Sequence, residues 1–243
     1  MVKKKKDDTL YIVIPAYNES ESIKKVIDEW YPIVEEIGKD SRLVIIDDGS
    51  KDETYKIIKN SAKKRKQLIA LTKENSGHGS TVLYGYNYAL SNNADYIFQT
   101  DSDGQTNPLE FWDFWNLRKE YDMIIGYRNK RKDGLSRIVV TKTLKLVIRF
   151  CFKVNVTDAN TPFRLMSNRT LKECIKLVPK DFNLSNVILS VIYEKKKMSV
   201  KYIPITFRER QGGVNSINIK KITKIGFKAL KDFKEINANL KEL

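Results

Sequence analysis

The chain is poor in the residues that build covalent staples and soft-metal sites: it has two cysteines, Cys151 and Cys174, and one histidine, His78, in 243 residues. Neither cysteine stands in a CxxC or Cys/His cluster, which excludes a disulfide scaffold or a zinc module of the usual spacing. Both lie in apolar stretches and read as buried, reduced thiols, which fits a reducing compartment. A lone histidine is more often a packing or hydrogen-bonding residue than a catalyst. Long apolar runs are also missing. Crossing a bilayer takes roughly 20 apolar residues, and the best stretch, Ile138 to Val154, is broken by Lys142, Lys145, Arg149 and Lys153. The start, MVKKKKDDTL, is basic but lacks the apolar stretch of a secretory signal. The expectation is a cytoplasmic protein without signal peptide or transmembrane helix. Acidic residues are scarce, 30 against 45 basic ones, for a net charge of +15. That excess favours an anionic partner: nucleic acid, a phosphorylated ligand or acidic lipid. No nucleic-acid-binding motif of the usual kinds is present, so nucleic acid is not expected.

With 41% hydrophobic and 31% charged residues the chain can bury a substantial core. Its first half alternates short apolar runs (Tyr11–Ile14, Leu43–Ile46, Leu68–Leu71, Tyr96–Phe98, Met123–Ile125) with helical stretches. Ile23, Val26, Ile27 and Trp30 mark one face of the first helix. Continuous apolar strands separated by helices predict an α/β fold, a mostly parallel sheet covered on both faces. The second half is less regular: a basic amphipathic helix over Ser136–Phe152, helices near Arg169–Leu177 and Leu184–Tyr193, a late strand over Val200–Phe207 and a Lys-rich helix over Ile217–Leu240. No internal repeat interrupts it.

Ligands of open parallel sheets sit beyond the carboxyl ends of the strands, and there the polar motifs fall. Asp101-Ser102-Asp103, followed by Gly104-Gln105, closes strand four. Two carboxylates flanking one residue can converge on a hard cation such as Mg²⁺ or Mn²⁺, which keeps places for water and phosphate; the alternative is a solvated acidic turn. Asp47-Asp48-Gly49-Ser50 closes strand two, where a carboxylate can accept from a nucleobase or ribose or serve only the turn. Pro15-Ala16-Tyr17-Asn18-Glu19 closes strand one. Asn75-Ser76-Gly77-His78-Gly79 opens a helix after strand three, where glycines and a helix N-terminus suit an anion. The glycine spacing does not match GxGxxG and follows the third strand, which weakens a nicotinamide-dinucleotide reading. Gly126-Tyr127-Arg128, Thr161-Pro162-Phe163-Arg164 and Phe207 to Ser216 place arginines in loops, where a guanidinium can pair with phosphate.

Taken together, IPAYNE, IIDDGSKDET, ENSGHG, TDSDGQTNP, GYR and DANTPFR, in that order, resemble the inverting glycosyltransferases of family 2 with the GT-A fold, and within them the branch of dolichyl-phosphate mannose synthases and polyprenyl-phosphate glycosyltransferases. The resemblance covers about residues 9–217. It implies a basic tail over 1–8, a catalytic domain over 9–216 (a nucleotide-binding half, 9–130, and an acceptor-side half, 131–216) and a C-terminal amphipathic helix over 217–243. It implies a donor nucleotide site formed by Pro15, Ala16, Tyr17, Glu19, Asp48, Asn75, Gly77, Gly79, Asp101 and Ser102, and a metal held by Asp101, Asp103 and Gln105. Arg128, Arg137, Arg164, Arg210 and Ser216 are expected to face the acceptor phosphate or donor diphosphate, with Asp103, Asp158 and Arg128 catalytic. Two elements depart from the branch: Ser216 comes one residue late in the FxxRxxGxSK pattern, with Asn218 in place of a lysine, and Pro162-Phe163-Arg164 stands for GFR.

The implied reaction moves a sugar from a UDP- or GDP-linked donor to a polyprenyl or dolichyl phosphate, with Mg²⁺ or Mn²⁺. A glycan hydroxyl is the second acceptor class, with Asp158 as its base, and a non-catalytic nucleotide or nucleic-acid binder is the reading of another class. The two basic helices predict peripheral attachment to the cytoplasmic face of a membrane; the alternative is that their apolar faces pack on the domain itself, or on a membrane-embedded partner or a second copy of the chain.

Overall fold

The computed structural model describes residues 8–128, 135–179, 182–208, 233, 236 and 237. Seven strands form one sheet: β1 (Leu10–Ala16), β2 (Arg42–Asp47), β3 (Leu68–Thr72), β4 (Tyr96–Gln99), β5 (Met123–Arg128), β6 (Arg164–Ser167) and β7 (Val200–Ile205), in the order β3-β2-β1-β4-β6-β5-β7. β1, β2, β3 and β4 are parallel, as are β5 and β7, while β6 runs antiparallel to both of its neighbours. The expected mostly parallel sheet is present. The antiparallel strand is an addition, since the four-residue run Arg164–Ser167 carries too little pattern to show as a strand in sequence.

The continuous apolar runs have a simple cause. Side chains alternate across a strand, and both faces of this sheet are covered. Tyr11 and Val13 point into one core, with Val44, Ile46, Ile97 and Ile125. Leu10, Ile12 and Ile14 point into the other, with Leu43, Ile45, Phe98 and Ile124. The second core is roofed by α1 (Ile23–Ile37) through Ile23, Val26, Ile27, Trp30 and Val34, with α2 (Thr54–Ala62) beside it. α4 (Phe111–Asn116) adds Phe111, Phe114 and Trp115 to this side, and Phe98 meets Phe111 and Phe163 edge-on at 5.1 and 4.7 Å. α3 (His78–Ser91), α5 (Leu135–Phe152), α6 (Asn168–Cys174) and α7 (Ser185–Lys195) cover the first core. Burying one such aromatic or branched side chain contributes about 1.5–3 kcal/mol. Pro204 lies in β7, an edge strand, where the missing N–H leaves no ladder bond open.

α5 matches the helix expected over Ser136–Phe152. Most of the expected C-terminal helix lies outside the described residues. Of its described positions, Phe233 and Ile236 are buried, Phe233 stands 5.2 Å from Phe152 and 6.0 Å from Phe182, and the Asn237 amide donates to the Cys151 carbonyl at 2.9 Å. Among the described residues no helix is long and apolar enough to cross a membrane.

Candidate active site

The chain moves from β1 to β2 and β3 on one side and then to β4 on the other, so the carboxyl ends of β1, β2 and β4 meet at a switch point. The loops leaving those ends are joined to each other rather than only to themselves. After β1, the Asn18 N–H donates to Ser50 Oγ at 2.9 Å, Asn18 Oδ1 accepts from the Lys51 N–H at 2.8 Å, and the Glu19 N–H donates to Thr54 Oγ1 at 2.8 Å. Pro15 and Ala16 are buried in β1, Glu19 is buried beside Ser22, and the Tyr17 ring is partly exposed.

Asp48, expected at the nucleotide, serves the neighbouring loop. Its carboxylate accepts from Lys73 Nζ, from the Ser76 N–H at 3.0 Å and from the Gly77 N–H at 2.9 Å, and its carbonyl accepts from the Asn75 amide at 2.9 Å. Burial would raise its pKa, but the hydrogen bonds from Lys73 and Ser76 outweigh this and hold it below the usual carboxylate value. Gly49 follows with φ +68°, and a side chain there would strike the Asn75 N–H at 2.8 Å. The two loops are therefore one unit. Gly79, in the first turn of α3, lies against backbone: a Cβ would sit 2.4 Å from the Phe182 carbonyl and 2.5 Å from that of Asn183.

The carboxylate pair stands on a latched loop. Thr100 and Thr106, both buried, share a hydroxyl hydrogen bond of 2.8 Å across its neck. The Ser102 carbonyl accepts from Ser22 Oγ at 3.0 Å, and Asp103 Oδ1 accepts from the Gln105 N–H at 3.1 Å. Asp101 Oδ1 lies 2.9 Å from His78 Nε2, with 28% and 50% of the two side chains exposed. Desolvation lowers the imidazole pKa; the Asp101 charge and hydrogen bond, then the charges of Asp48 and Asp103, outweigh it and raise the pKa. The acidic ends of β2 and β4 and the start of α3 thus form one electrostatic neighbourhood.

Residues 11–175 match the family model described as Glycosyl transferase family 2. The chain belongs to this family. It is 30% identical over 222 residues to the UDP-N-acetylglucosamine–dolichyl-phosphate N-acetylglucosaminyltransferase of Methanococcus voltae, covering 82% of this chain and 85% of that one. It is 25% identical to the undecaprenyl-phosphate 4-deoxy-4-formamido-L-arabinose transferase of Pectobacterium atrosepticum, over 90% of this chain. It spans 65% of that relative's length, and 42% of its counterpart from Pectobacterium carotovorum. Among solved structures, glucosyl-3-phosphoglycerate synthase from Mycobacterium tuberculosis, in complex with Mn²⁺, UDP and phosphoglyceric acid, superposes with a TM-score of 0.70 at 14% identity, covering 95% of this chain and 78% of that one. The architecture is the GT-A fold of family 2.

Within this family 2 chain the donor set fits a hard divalent cation only in part. Asp101 and Asp103 offer oxygen ligands of the right kind, but among the described residues no group of three or more His, Cys, Asp or Glu side chains is arranged to hold a metal. Further ligands would come from phosphate and water. Gln105, expected on the metal, has another partner: its Nε2 donates to the Arg208 carbonyl at 3.2 Å and its own carbonyl accepts from the Arg208 N–H at 2.7 Å.

The acceptor side departs further from expectation. Arg164, expected at a phosphate, is packed inside the fold. It is 0% exposed, and its guanidinium donates to the carbonyls of Ala159 (3.2 Å), Thr161 (2.8 Å) and Asn186 (3.0 Å). An arginine held this way ties the turn before β6 to the first turn of α7, because burial of its charge requires every donor to be met. Asp158 is buried as well, and Oδ1 accepts from the Asn160 N–H at 3.3 Å. Arg128 reaches the carboxyl end of β5 and lies 3.6 Å from the Phe207 ring centroid, a cation–π contact. Arg210, Ser216 and the Arg137 side chain lie outside the described residues. Sequence reasoning missed Lys73, Glu29 and Arg208; the one local signal was Arg208 beside Phe207, in a segment read as a whole for phosphate.

Proposed function

We propose that this family 2 protein transfers a sugar from a UDP- or GDP-linked donor to a polyprenyl or dolichyl phosphate at a membrane surface, with inversion at the anomeric carbon. The observation that carries the reading is the Asp101-Ser102-Asp103 loop at the end of β4, beside the switch point and in contact with the first residue of α3. The named activities of the relatives from Methanococcus voltae and Pectobacterium atrosepticum support the acceptor class. Asp101 and Asp103 would hold Mg²⁺ or Mn²⁺, which when bound offsets the charge of the departing diphosphate.

The chain's own groups do the rest. The Asn75–Gly79 loop and the positive end of α3 face the diphosphate, with Tyr17 and the loop after β1 along the nucleotide. One bond forms, from an acceptor oxygen to the anomeric carbon, as the bond to the donor phosphate breaks and the diphosphate leaves with the electron pair. A lipid monophosphate has a second pKa of about 6 and needs no strong base. The burial of Asp158, the candidate base for a hydroxyl, favours that acceptor over a glycan.

Contact with the membrane is assigned to α5, where Leu146 and Phe150 are 72% and 86% exposed one turn apart and Lys145 and Arg149 are exposed beside them. Each basic residue near an anionic surface adds about 1 kcal/mol. The test incubates the purified chain with UDP- and GDP-sugars, Mn²⁺ and anionic liposomes carrying polyprenyl phosphate. Sugar should appear on the lipid, and the chain should float with the vesicles at low salt. Transfer only to an added oligosaccharide, or none from any donor, refutes the proposal.

A further inference from the structure

The loop that carries the carboxylate pair is fastened at a third point, by a residue that touches neither carboxylate. β7 ends at Ile205, and the next residues run along the Asp101–Asn107 loop. Phe207 bridges Thr106 in antiparallel fashion, the Arg208 N–H donates to the Gln105 carbonyl at 2.7 Å, and Gln105 Nε2 returns to the Arg208 carbonyl at 3.2 Å. The Arg208 guanidinium then spans two elements. Nη2 donates to Asn107 Oδ1 at 2.8 Å, at the far end of the loop, and Nη1 meets Glu29 Oε1 at 3.2 Å, on α1. The same α1 presents Ser22 near its start, whose hydroxyl holds the Ser102 carbonyl at 3.0 Å.

We propose that Arg208 is a positioning residue for the transfer reaction: it clamps the Asp101–Asn107 loop between α1 and the strand end that leads to Arg210 and Ser216. The inference rests on the glycosyltransfer reading above. Among the described residues the loop has three anchors: the Thr100–Thr106 latch, the Ser22 hydroxyl and this clamp. The first two sit at or before Ser102 and at the neck. Among the described residues, the clamp is the anchor that takes hold of Gln105 and Asn107, the residues on either side of Thr106. A guanidinium suits the task because its donors diverge in one rigid plane, so two acceptors on different elements fix each other's positions. A lysine could serve one acceptor at a time. The clamp also makes the carboxylate geometry depend on the chain after β7.

The experiment measures binding and turnover in parallel. Calorimetry on the full chain uses Mn²⁺ with UDP or GDP, whichever the wild type binds, and melting temperature reports folding. Outer-layer partners of metal ligands typically carry about 10–100-fold in affinity or activity. Arg208→Ala should weaken Mn²⁺–nucleotide binding and raise the half-saturating Mn²⁺ for transfer by at least about tenfold, and Arg208→Lys should recover part of the loss. Glu29→Ala combined with Arg208→Ala should lose no more than Arg208→Ala alone. A folded Arg208→Ala protein that binds and uses Mn²⁺ as the wild type does overturns the clamp. If Arg208→Ala does not fold, the Glu29→Ala/Asn107→Ala variant carries the same test with the same two outcomes. A wild type that binds neither nucleotide with Mn²⁺ overturns the functional reading beneath the clamp, a result distinct from an unaffected variant.

Discussion

Both ends of the sheet are acidic, and they use their acids differently. At the amino end a cleft of about 790 Å³ opens between the starts of β4 and β5 and the end of β6, lined in part by Asp8, Asp95, Arg118, Asp122 and Arg169. Its carboxylates are matched to protein partners. Asp8 meets Arg118 at 2.9 Å, Asp95 accepts from the Thr9 N–H and hydroxyl at 2.8 Å each, and Asp122 meets Arg169 at 2.9 Å and the Ser199 N–H at 3.0 Å. At the carboxyl end Asp101 meets a half-exposed histidine instead. A carboxylate matched to an arginine and a backbone N–H fixes strands. One that faces a titratable ring in an open loop keeps coordination capacity for a ligand.

Mutations at the two ends should separate these roles. The largest effect is expected for Asp101→Ala and Asp103→Ala: Mn²⁺-dependent sugar transfer should fall by about 100-fold or more, with a melting temperature close to that of the wild type. Full activity in both variants would abolish the distinction. Asp122→Ala should do the opposite, lowering stability by about 0.5–1.5 kcal/mol in urea unfolding, because it removes the hydrogen bond to the Ser199 N–H, while turnover per folded molecule is retained. The smallest effect concerns Asp48, the acid that joins two loops at the carboxyl end. Its folded pKa lies below the ordinary 3.8, so its contribution is complete above that value and is lost as pH falls through the folded pKa. The stability difference between the wild type and Asp48→Asn should therefore be constant near neutrality and shrink below about pH 4. A difference that grows on acidification would show that Asp48 is not held as an anion.

How much of this was legible in the sequence follows from the range of the contacts. The strands of the first half announce themselves because each is buried on both faces, so every residue of β1 is apolar or small. The acidic loop at Asp101–Asp103 was readable because its two carboxylates are neighbours in sequence. Arg164 was misread for the opposite reason. Its Asn186 and Ser190 partners lie 22 and 26 residues ahead on α7, and an arginine in a loop looks the same whether it will meet phosphate or backbone carbonyls. β6 was hidden because its four residues are specified by pairing to β4 and β5 rather than by their own pattern. His78 was read as a packing or hydrogen-bonding residue, but its partner, 23 residues away, could come only from the fold.

The reversed strand has a consequence for how the molecule can be altered. Because β6 runs against its neighbours, β5 leaves the sheet at the same edge where β6 enters it, with Ile125 paired to Arg164 and Gln99 paired to Arg164 from the other side. Everything between Arg128 and Arg164, α5 included, is an excursion with both feet on one rim. Such an excursion can be lengthened without rethreading a strand, provided that Ile148 and Phe152 of α5 keep their places in the core, since closing a longer loop costs only about 0.6 kcal/mol per doubling. Changes of length on that rim leave the strand order of the sheet as it is.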